Sequence, residues 1–288
     1  GFHPNDSGAE LIAKTFAPKI QILSLSPAST QVADVGTIGR SFSVVTPLSW
    51  TATANQPWIT IVSGVAGMGN GIVTFNVAGQ VGPARSGTIR VASGNFSRTF
   101  TVNQSASPSL TVASRYGTPV PAAGTYWMEA GTPASASVNG SPVLVGVSTQ
   151  YVCTGWAGTG SAPASGTDME TGPFTVMNAS SVTWLWKTNY WLDLTATEGG
   201  TITVSSGWFP RGSNVVIRAV PDVGYKFVRW TGPYNTTAET FYATMTASKS
   251  FLATFALATN SLTVSSRYGT PIPAGTTWMR KDTVTNAS

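Results

Sequence analysis

Eleven carboxylates, one histidine and one cysteine are the residues on which hydrolytic or metal chemistry would first draw. A glycoside hydrolase needs two carboxyls facing each other across a cleft, one with a raised pKa. The acids are Asp6, Glu10, Asp34, Glu129, Asp168, Glu170, Asp193, Glu198, Asp222, Glu239 and Asp282. Most stand in turn-like contexts such as Glu198-Gly199-Gly200 and Pro221-Asp222-Val223-Gly224, where acids serve as turn and surface residues. A Ser-His-acid triad could draw only on His3, close to the N-terminus. Zinc and other transition metals want several nitrogen or sulfur ligands, and only His3 and Cys153 exist. Calcium wants clustered oxygens. The densest acidic spot, Asp168 with Glu170, lies in a Gly/Ser-rich stretch and reads as a solvated loop. No catalytic residue, metal site or cofactor is expected, and the chain does not read as an enzyme.

The aromatic side chains are the richer material. Ten tryptophans could offer flat faces for stacking on sugar rings. Most are better accounted for as core. Trp50 and Trp58 fit a sandwich interior. Trp156 and Trp230 recur at one repeat position, as do Trp127, Trp208 and Trp278 in a second pattern. Trp184 and Trp186 lie two apart on one strand and so share a face. What remains is Tyr190-Trp191, at an expected module junction, and Tyr234 in the loop Gly232-Pro233-Tyr234-Asn235-Thr236-Thr237. These three are the candidate ligand contacts.

The elements that would carry them are strands. Charged residues are 9% of the chain, against roughly 25% in an average soluble protein. Thr, Ser, Gly, Ala and Asn take their place, which is the composition of secreted all-β proteins. The net charge of +5 is scattered, so no nucleic-acid partner is expected. No apolar run is long enough to span a bilayer, so no membrane insertion is expected in this segment. No secretory leader is read, and Gly1 looks like a mature or engineered start. A secreted or cell-surface location is inferred from composition. Cys153 has no intramolecular partner and is expected to be buried.

The chain repeats itself. Ser109 to Met128 reads SLTVASRYGTPVPAAGTYWM, and Ser261 to Met279 reads SLTVSSRYGTPIPAGTTWM. Such matching marks a duplicated structural unit. The second copy stops at Ser288, and a half-unit cannot bury its own apolar face. Either the chain is cut there or the half-unit packs on something else. The expected organisation is an N-terminal arm over 1–20, a β-sandwich over 21–106, repeats over 109–187 and 191–256, and a partial repeat over 261–288. The arm has mild helical character from Ala9 to Phe16, ended by Pro18. Limited bending is expected near 106–109, 187–191 and 256–261.

Two resemblances sharpen this. The series W50-T-A-T-A-N-Q-P-W58-I-T-I, then A84-R-S-G-T-I-R-V-A, then F100-T-V-N-Q104 resembles a BACON domain, an immunoglobulin-like module of secreted bacterial proteins. That family is described as carbohydrate- or mucin-associated, commonly ahead of glycoside hydrolase domains. Its presence implies an extracellular location and, less directly, glycans as partners. Tyr151-Val152-Cys153-Thr154-Gly155-Trp156-Ala157-Gly158 lines up with Tyr225-Lys226-Phe227-Val228-Arg229-Trp230-Thr231-Gly232. Met177-Asn178-Ala179-Ser180 lines up with Met245-Thr246-Ala247-Ser248. This pattern resembles the InlB B-repeats of bacterial surface proteins, small β modules that act as spacers, stalks or adhesive arms.

The fold class expected is therefore all-β: an immunoglobulin-like sandwich followed by tandem small β repeats. Two functions follow. One is a structural or adhesive surface protein whose partners are its own copies or neighbouring surface proteins, assembling as a filament through its termini. Ser261, Leu262, Val264, Tyr268 and Trp278 are its expected assembly residues. The other is a carbohydrate-binding accessory region of a polysaccharide-degrading system, using Tyr190, Trp191 and Tyr234. Strands such as Leu110-Thr111-Val112-Ala113, Thr201-Ile202-Thr203-Val204 and Leu262-Thr263-Val264-Ser265 lack the Lys or Pro that guards an exposed sheet edge.

Overall fold

The computed structural model describes residues 22–265, 267–270, 275–280 and 284, and every described element is a β-strand. The arm and its expected helix at Ala9–Phe16 lie outside the described residues.

The first region contains β1 (Ser24–Ser26), β2 (Ser29–Val32), β3 (Thr37–Val45), β4 (Ser49–Ala54), β5 (Ile59–Ser63), β6 (Ala66–Met68), β7 (Gly71–Val77), β8 (Arg85–Ser93) and β9 (Phe96–Gln104). They form two sheets, ordered β1-β3-β7-β5 and β2-β9-β8-β4-β6. Alternation drives the pairing. Val73, Phe75 and Val77 of β7 and Ile89 and Val91 of β8 point inward, while their neighbours stay at least partly accessible. Between the sheets Phe42 stacks on Phe100 at 4.2 Å, and Phe75 meets Phe100 edge-on at 5.5 Å. Trp50 joins this core and donates its indole N–H to the Gly69 carbonyl at 2.8 Å. Trp58 sits at its rim, half-buried beneath the Arg85 guanidinium at 4.3 Å. The buried Gln104 amide lies 3.0 to 3.1 Å from the carbonyls of Ala33, Asp34 and Ala78, and its oxygen accepts from Arg85 Nε at 2.8 Å. One polar side chain thus ties the last strand to two loops, at a place where an unsatisfied group would cost about 1–3 kcal/mol.

The repeats contain β10 (Ser109–Ala113), β11 (Thr118–Val120), β12 (Gly124–Trp127), β13 (Thr132–Ala134), β14 (Ser137–Asn139), β15 (Val143–Val145), β16 (Thr149–Thr159), β17 (Ser165–Gly166), β18 (Phe174–Val176) and β19 (Ala179–Ala196). There follow β20 (Gly200–Ile202), β21 (Gly207–Pro210), β22 (Asn214–Pro221), β23 (Tyr225–Thr231), β24 (Thr240–Thr244), β25 (Lys249–Leu257), β26 (Thr259–Val264) and β27 (Gly275–Arg280). A nine-stranded sheet runs through them.

Each repeat obeys one rule. Its opening strand pairs in parallel with its closing strand, and the closing strand also pairs antiparallel with the strand carrying the Tyr…Trp-x-Gly signature. In repeat 1, β10 pairs with β19 from Ser109↔Ala179 to Ala113↔Thr183, and β16 pairs with β19. In repeat 2, the second half of β19 pairs with β25 from Leu192↔Lys249 to Ala196↔Ala253, and β23 pairs with β25. β19 is thus the closing strand of one repeat and the opening strand of the next, and it crosses the expected junction at 187–191 without interruption. The signature strands even carry their irregularity at one place: the register shifts between Cys153 and Gly155, and between Phe227 and Arg229. The extra residues are Thr154 and Val228, and a bulge of this kind bends the strand and increases its twist.

Packing explains the signature. Trp156 and Trp230 are both buried, each at the centre of its own core. The glycine two residues on has no room for a side chain. A Cβ at Gly232 would stand 2.5 Å from the Phe251 ring, and one at Gly158 would collide with the Pro163 carbonyl.

The last copy is a two-stranded sheet, β26 with β27. Its register, Ser261↔Trp278 to Val264↔Gly275, repeats that of β10 with β12, Ser109↔Trp127 to Val112↔Gly124. Even the cross-strand hydroxyl pair recurs: Thr111 with Thr125 at 3.0 Å and Thr263 with Thr276 at 2.9 Å.

Candidate functional site

Trp191 belongs to the continuous stretch of β19, and strand alternation decides where it points. Leu192 is buried, and Tyr190 and Leu194 pack on the same repeat-2 core. Trp191 and Asp193 face the other way. The structure therefore separates Tyr190 from Trp191. Tyr190 joins the core, whereas Trp191 is half-buried and lines a cleft of about 420 Å³.

Across the strand pair, Trp191 stands opposite Trp208, and the rings meet edge to face at 5.3 Å. Asp193, Lys249, Ser250, Pro233 and Ser148 complete the main walls. Asp193 Oδ2 accepts from Ser250 Oγ at 2.9 Å, which fixes the carboxylate. Ser148 comes from the loop before β16, and its carbonyl accepts from the Trp191 backbone N–H at 3.0 Å. Two residues earlier, Asn189 carries a buried side-chain oxygen without a hydrogen-bond partner among the described residues. The cleft thus offers an aromatic face, a fixed carboxylate, an ammonium group and the hydroxyls of Ser148, Ser248 and Ser250.

Tyr234 follows Pro233 at the cleft wall but is tied into its module. Its ring meets Phe241 and Phe251 edge-on at 5.6 and 5.2 Å, and its hydroxyl donates to the Tyr242 carbonyl at 2.8 Å. Loss of water around this hydroxyl pushes its pKa above the usual tyrosine value. Of the three predicted contacts, Trp191 lines the cleft, Tyr234 flanks it, and Tyr190 faces the core.

Sequence reasoning missed Asp193, Lys249, Ser250 and Trp208 as neighbours of Trp191. The usable signal was the pair of Trp residues at Trp191 and Trp208, seventeen positions apart, around a Gly-rich turn. The expectation of core positions for Trp127, Trp208 and Trp278 needs correcting. Trp208 is half-buried, Trp127 is exposed, and Trp278 is 70% exposed. All three lie on the second strand of the opening hairpin, at the rim of each repeat. Cys153 is half-buried rather than buried; its backbone N–H donates to Ser141 Oγ at 2.9 Å.

The assembly residues lie on the last hairpin. Ser261 is exposed, and Leu262 and Val264 are half-buried, whereas the matching Leu110 and Val112 are buried in the repeat-1 core. Tyr268 is 84% exposed, with the Arg267 guanidinium 5.9 Å from its ring. The equivalent Tyr116 is stacked on Tyr151 at 3.6 Å, with Arg115 at 5.5 Å. Among the described residues no three His, Cys, Asp or Glu side chains are placed to hold a metal ion. No described helix is long and apolar enough to cross a membrane.

Comparison with known proteins agrees with both resemblances. Residues 190–259 match the model of the divergent InlB B-repeat domain. Residues 48–105 match the model of BACON, described as a "Putative binding domain, N-terminal". Both are binding or repeat families rather than catalytic ones. No curated protein matches the chain. Among solved structures, a Bacteroides ovatus GH5 xyloglucanase in complex with a XXXG heptasaccharide is similar at 20% identity and TM-score 0.28, over 30% of this chain and 19% of that one. The chain thus spans about a fifth of the xyloglucanase. WR4, a C. elegans MSP family member, is similar at 11% identity and TM-score 0.22, over 30% of this chain and 97% of that one. Domains 5-6 of the S-layer protein SbsC are similar at 10% identity and TM-score 0.24, over 81% of this chain and 98% of that one. At these scores nothing about activity follows from the likeness.

Proposed function

We propose that this chain is a non-catalytic structural and adhesive segment of a bacterial cell surface, in which the sandwich is carried on a repeat arm that associates with further copies. The observation that carries it is β19, one strand that closes repeat 1 and opens repeat 2. Such sharing joins neighbouring repeats edge to edge through one backbone, as expected of a repeat array. The BACON and B-repeat matches support a secreted or surface location. The finer proposal is a filament formed through the termini and the last hairpin, by way of Ser261, Leu262, Val264, Tyr268 and Trp278. Light scattering with negative-stain microscopy tests it by comparing the full chain with one ending at Asn260. Oligomers or filaments are expected for the first and monomers for the second. A monomeric full chain would sink the filament.

A second reading rests on the Trp191 cleft: a carbohydrate-binding accessory region. Trp191 supplies the stacking face, and Asp193, Lys249 and Ser250 supply groups for sugar hydroxyls. A glycan array spanning plant, mucin and bacterial polysaccharides is its test. Binding that Trp191→Ala removes without unfolding supports it, and a blank array ends it.

A further inference from the structure

The three opening hairpins share one register, so their differences can be read position by position. Ser109 faces Trp127, Trp191 faces Trp208 and Ser261 faces Trp278. Trp191 therefore stands where the other two copies carry serine. Asp193, two residues on, stands where they carry Thr111 and Thr263. The closing strand differs in the same place. Ser180 and Ser181 lie opposite Leu110 and Thr111, whereas Lys249 and Ser250 lie opposite Leu192 and Asp193. Repeat 1 thus carries only hydroxyls where repeat 2 carries an indole, a carboxylate, an ammonium group and one hydroxyl.

The frame itself requires none of these changes. In repeat 1 the hydroxyls serve the module: Thr111 pairs with Thr125 at 3.0 Å, and Ser181 with Thr159 at 2.7 Å. The last hairpin keeps the first of these pairs, as Thr263 with Thr276. Repeat 2 ties its hairpin otherwise, by the Leu194 N–H donating to Ser206 Oγ at 2.8 Å, and Asp193 is released to the cleft. Neither Asp193 nor Lys249 has an ion-pair partner among the described residues. The three departures from the repeat pattern converge on one cleft of about 420 Å³, toward the lower end of the roughly 300–1,000 Å³ usual for small-molecule sites.

The walls select the ligand. The Trp208 ring is tilted 71° to that of Trp191 at 5.3 Å, so the two rings cannot form a coplanar floor for a long chain, and one flat face is left. A carboxylate only accepts hydrogen bonds and an ammonium group only donates them, whereas a sugar hydroxyl does both. Ser250 Oγ holds Asp193 Oδ2, which leaves Oδ1 to accept. The two charges cancel. A uronate or sulfate group meets the like charge of Asp193, and an amino sugar meets that of Lys249. We propose that this cleft binds a single uncharged pyranose unit of a glycan, its C–H face on Trp191, with hydroxyls donating to Asp193 and accepting from Lys249. This rests on the carbohydrate reading above and names the class of sugar and the residues that select it.

An array of oligosaccharides from plant, mucin and bacterial polysaccharides tests it on the full chain, with uncharged members set beside uronate-bearing and sulfated ones. The strongest binders should be uncharged. Calorimetry on the strongest of them should show at least tenfold weaker binding for Trp191→Ser and for Asp193→Thr, because a hydrogen bond to a charged group is worth about that much. Both variants install what the other opening hairpins carry, so the cooperative thermal transition should remain. Raising NaCl from about 0.05 to about 0.5 M should change the affinity by less than about twofold, since an uncharged ligand has no charge to screen. If uncharged glycans bind both variants as tightly as the native chain, the cleft assignment is overturned while the carbohydrate reading stands. If only acidic glycans bind, weakening with salt and lost in Lys249→Met, the uncharged class is overturned while the cleft stands. A blank array overturns both together.

Discussion

Repeat 1 and repeat 2 share a backbone plan down to the position of a bulge, yet they fill it with different side chains. Where repeat 1 has Trp184 on the closing strand, repeat 2 has Ala253; where repeat 1 has Cys153 on the signature strand, repeat 2 has Phe227. Bulk has moved between facing strands while each core has stayed filled, as volume-conserving exchange allows. The polar consequences differ. Trp230 Nε1 donates to the Glu239 carbonyl at 3.4 Å, whereas the buried indole nitrogens of Trp156 and Trp184 have no partner among the described residues. Repeat 1 therefore carries two buried donors, each of which costs about 1–3 kcal/mol relative to a satisfied one. Pairing geometry is the shared invariant, and side-chain chemistry is where the copies diverge.

The largest effect should come from Trp230→Ala, which empties the centre of the repeat-2 core and should cost about 3–5 kcal/mol in urea denaturation. Trp156→Ala should cost about 1 kcal/mol less, because it also removes an unpaired donor. Equal losses would mean that the unpaired indole is harmless. Next comes making one repeat resemble the other. Phe227→Cys should destabilise repeat 2 by about 2 kcal/mol, since Phe227 packs on Trp230 at 5.6 Å and Phe255 at 5.8 Å. Cys153→Phe should destabilise repeat 1 by about 1–2 kcal/mol, by crowding Trp186 opposite it. A stabilised Cys153→Phe protein would show that repeat 1 has spare room. Trp184→Phe should be close to neutral, within about 1 kcal/mol, because the lost donor offsets the lost area.

The smallest effect is a pH slope. The folded state holds the Tyr234 proton more tightly than the unfolded chain does. Its contribution is therefore complete below the unfolded tyrosine pKa of about 10 and is lost as pH rises through the folded value. Tyr151, raised first by its hydrogen bond to Tyr116 and then by desolvation, acts in the same direction. Tyr234→Phe should flatten the decline of thermal stability above about pH 10 without abolishing it. An unchanged slope would assign the whole effect elsewhere.

Much of this architecture was legible in the residues. The alignment of Tyr151–Gly158 with Tyr225–Gly232 is reproduced position by position in the strand pairing, because a recurring Trp-x-Gly reports one packing constraint. The all-β class followed from alternation and composition, and the strands show it. Other features escaped because they depend on pairing across long separations. That β19 is unbroken from Ala179 to Ala196 could not be read locally, since a closing strand and an opening strand have the same β-rich composition. Recurrence of Trp127, Trp208 and Trp278 suggests burial, but an element can recur at a rim as faithfully as in a core. The cleft was half legible. Trp191 stood out as an aromatic without a core role, whereas its walls come from β25 and the loops before β16 and after β23, which only the fold brings to it.

β19 also determines how the two repeats would carry a mechanical load. Tension along the array enters repeat 2 at the start of its opening strand and leaves at the end of β25. Those strands run parallel, in register from Leu192↔Lys249 to Ala196↔Ala253. Pulling them apart lengthwise loads their cross-strand hydrogen bonds together, in shear, instead of opening them one after another like a zipper. The same holds for β10 against β19. Repeats paired in this way would resist stretching through their backbone geometry, however their cores are filled.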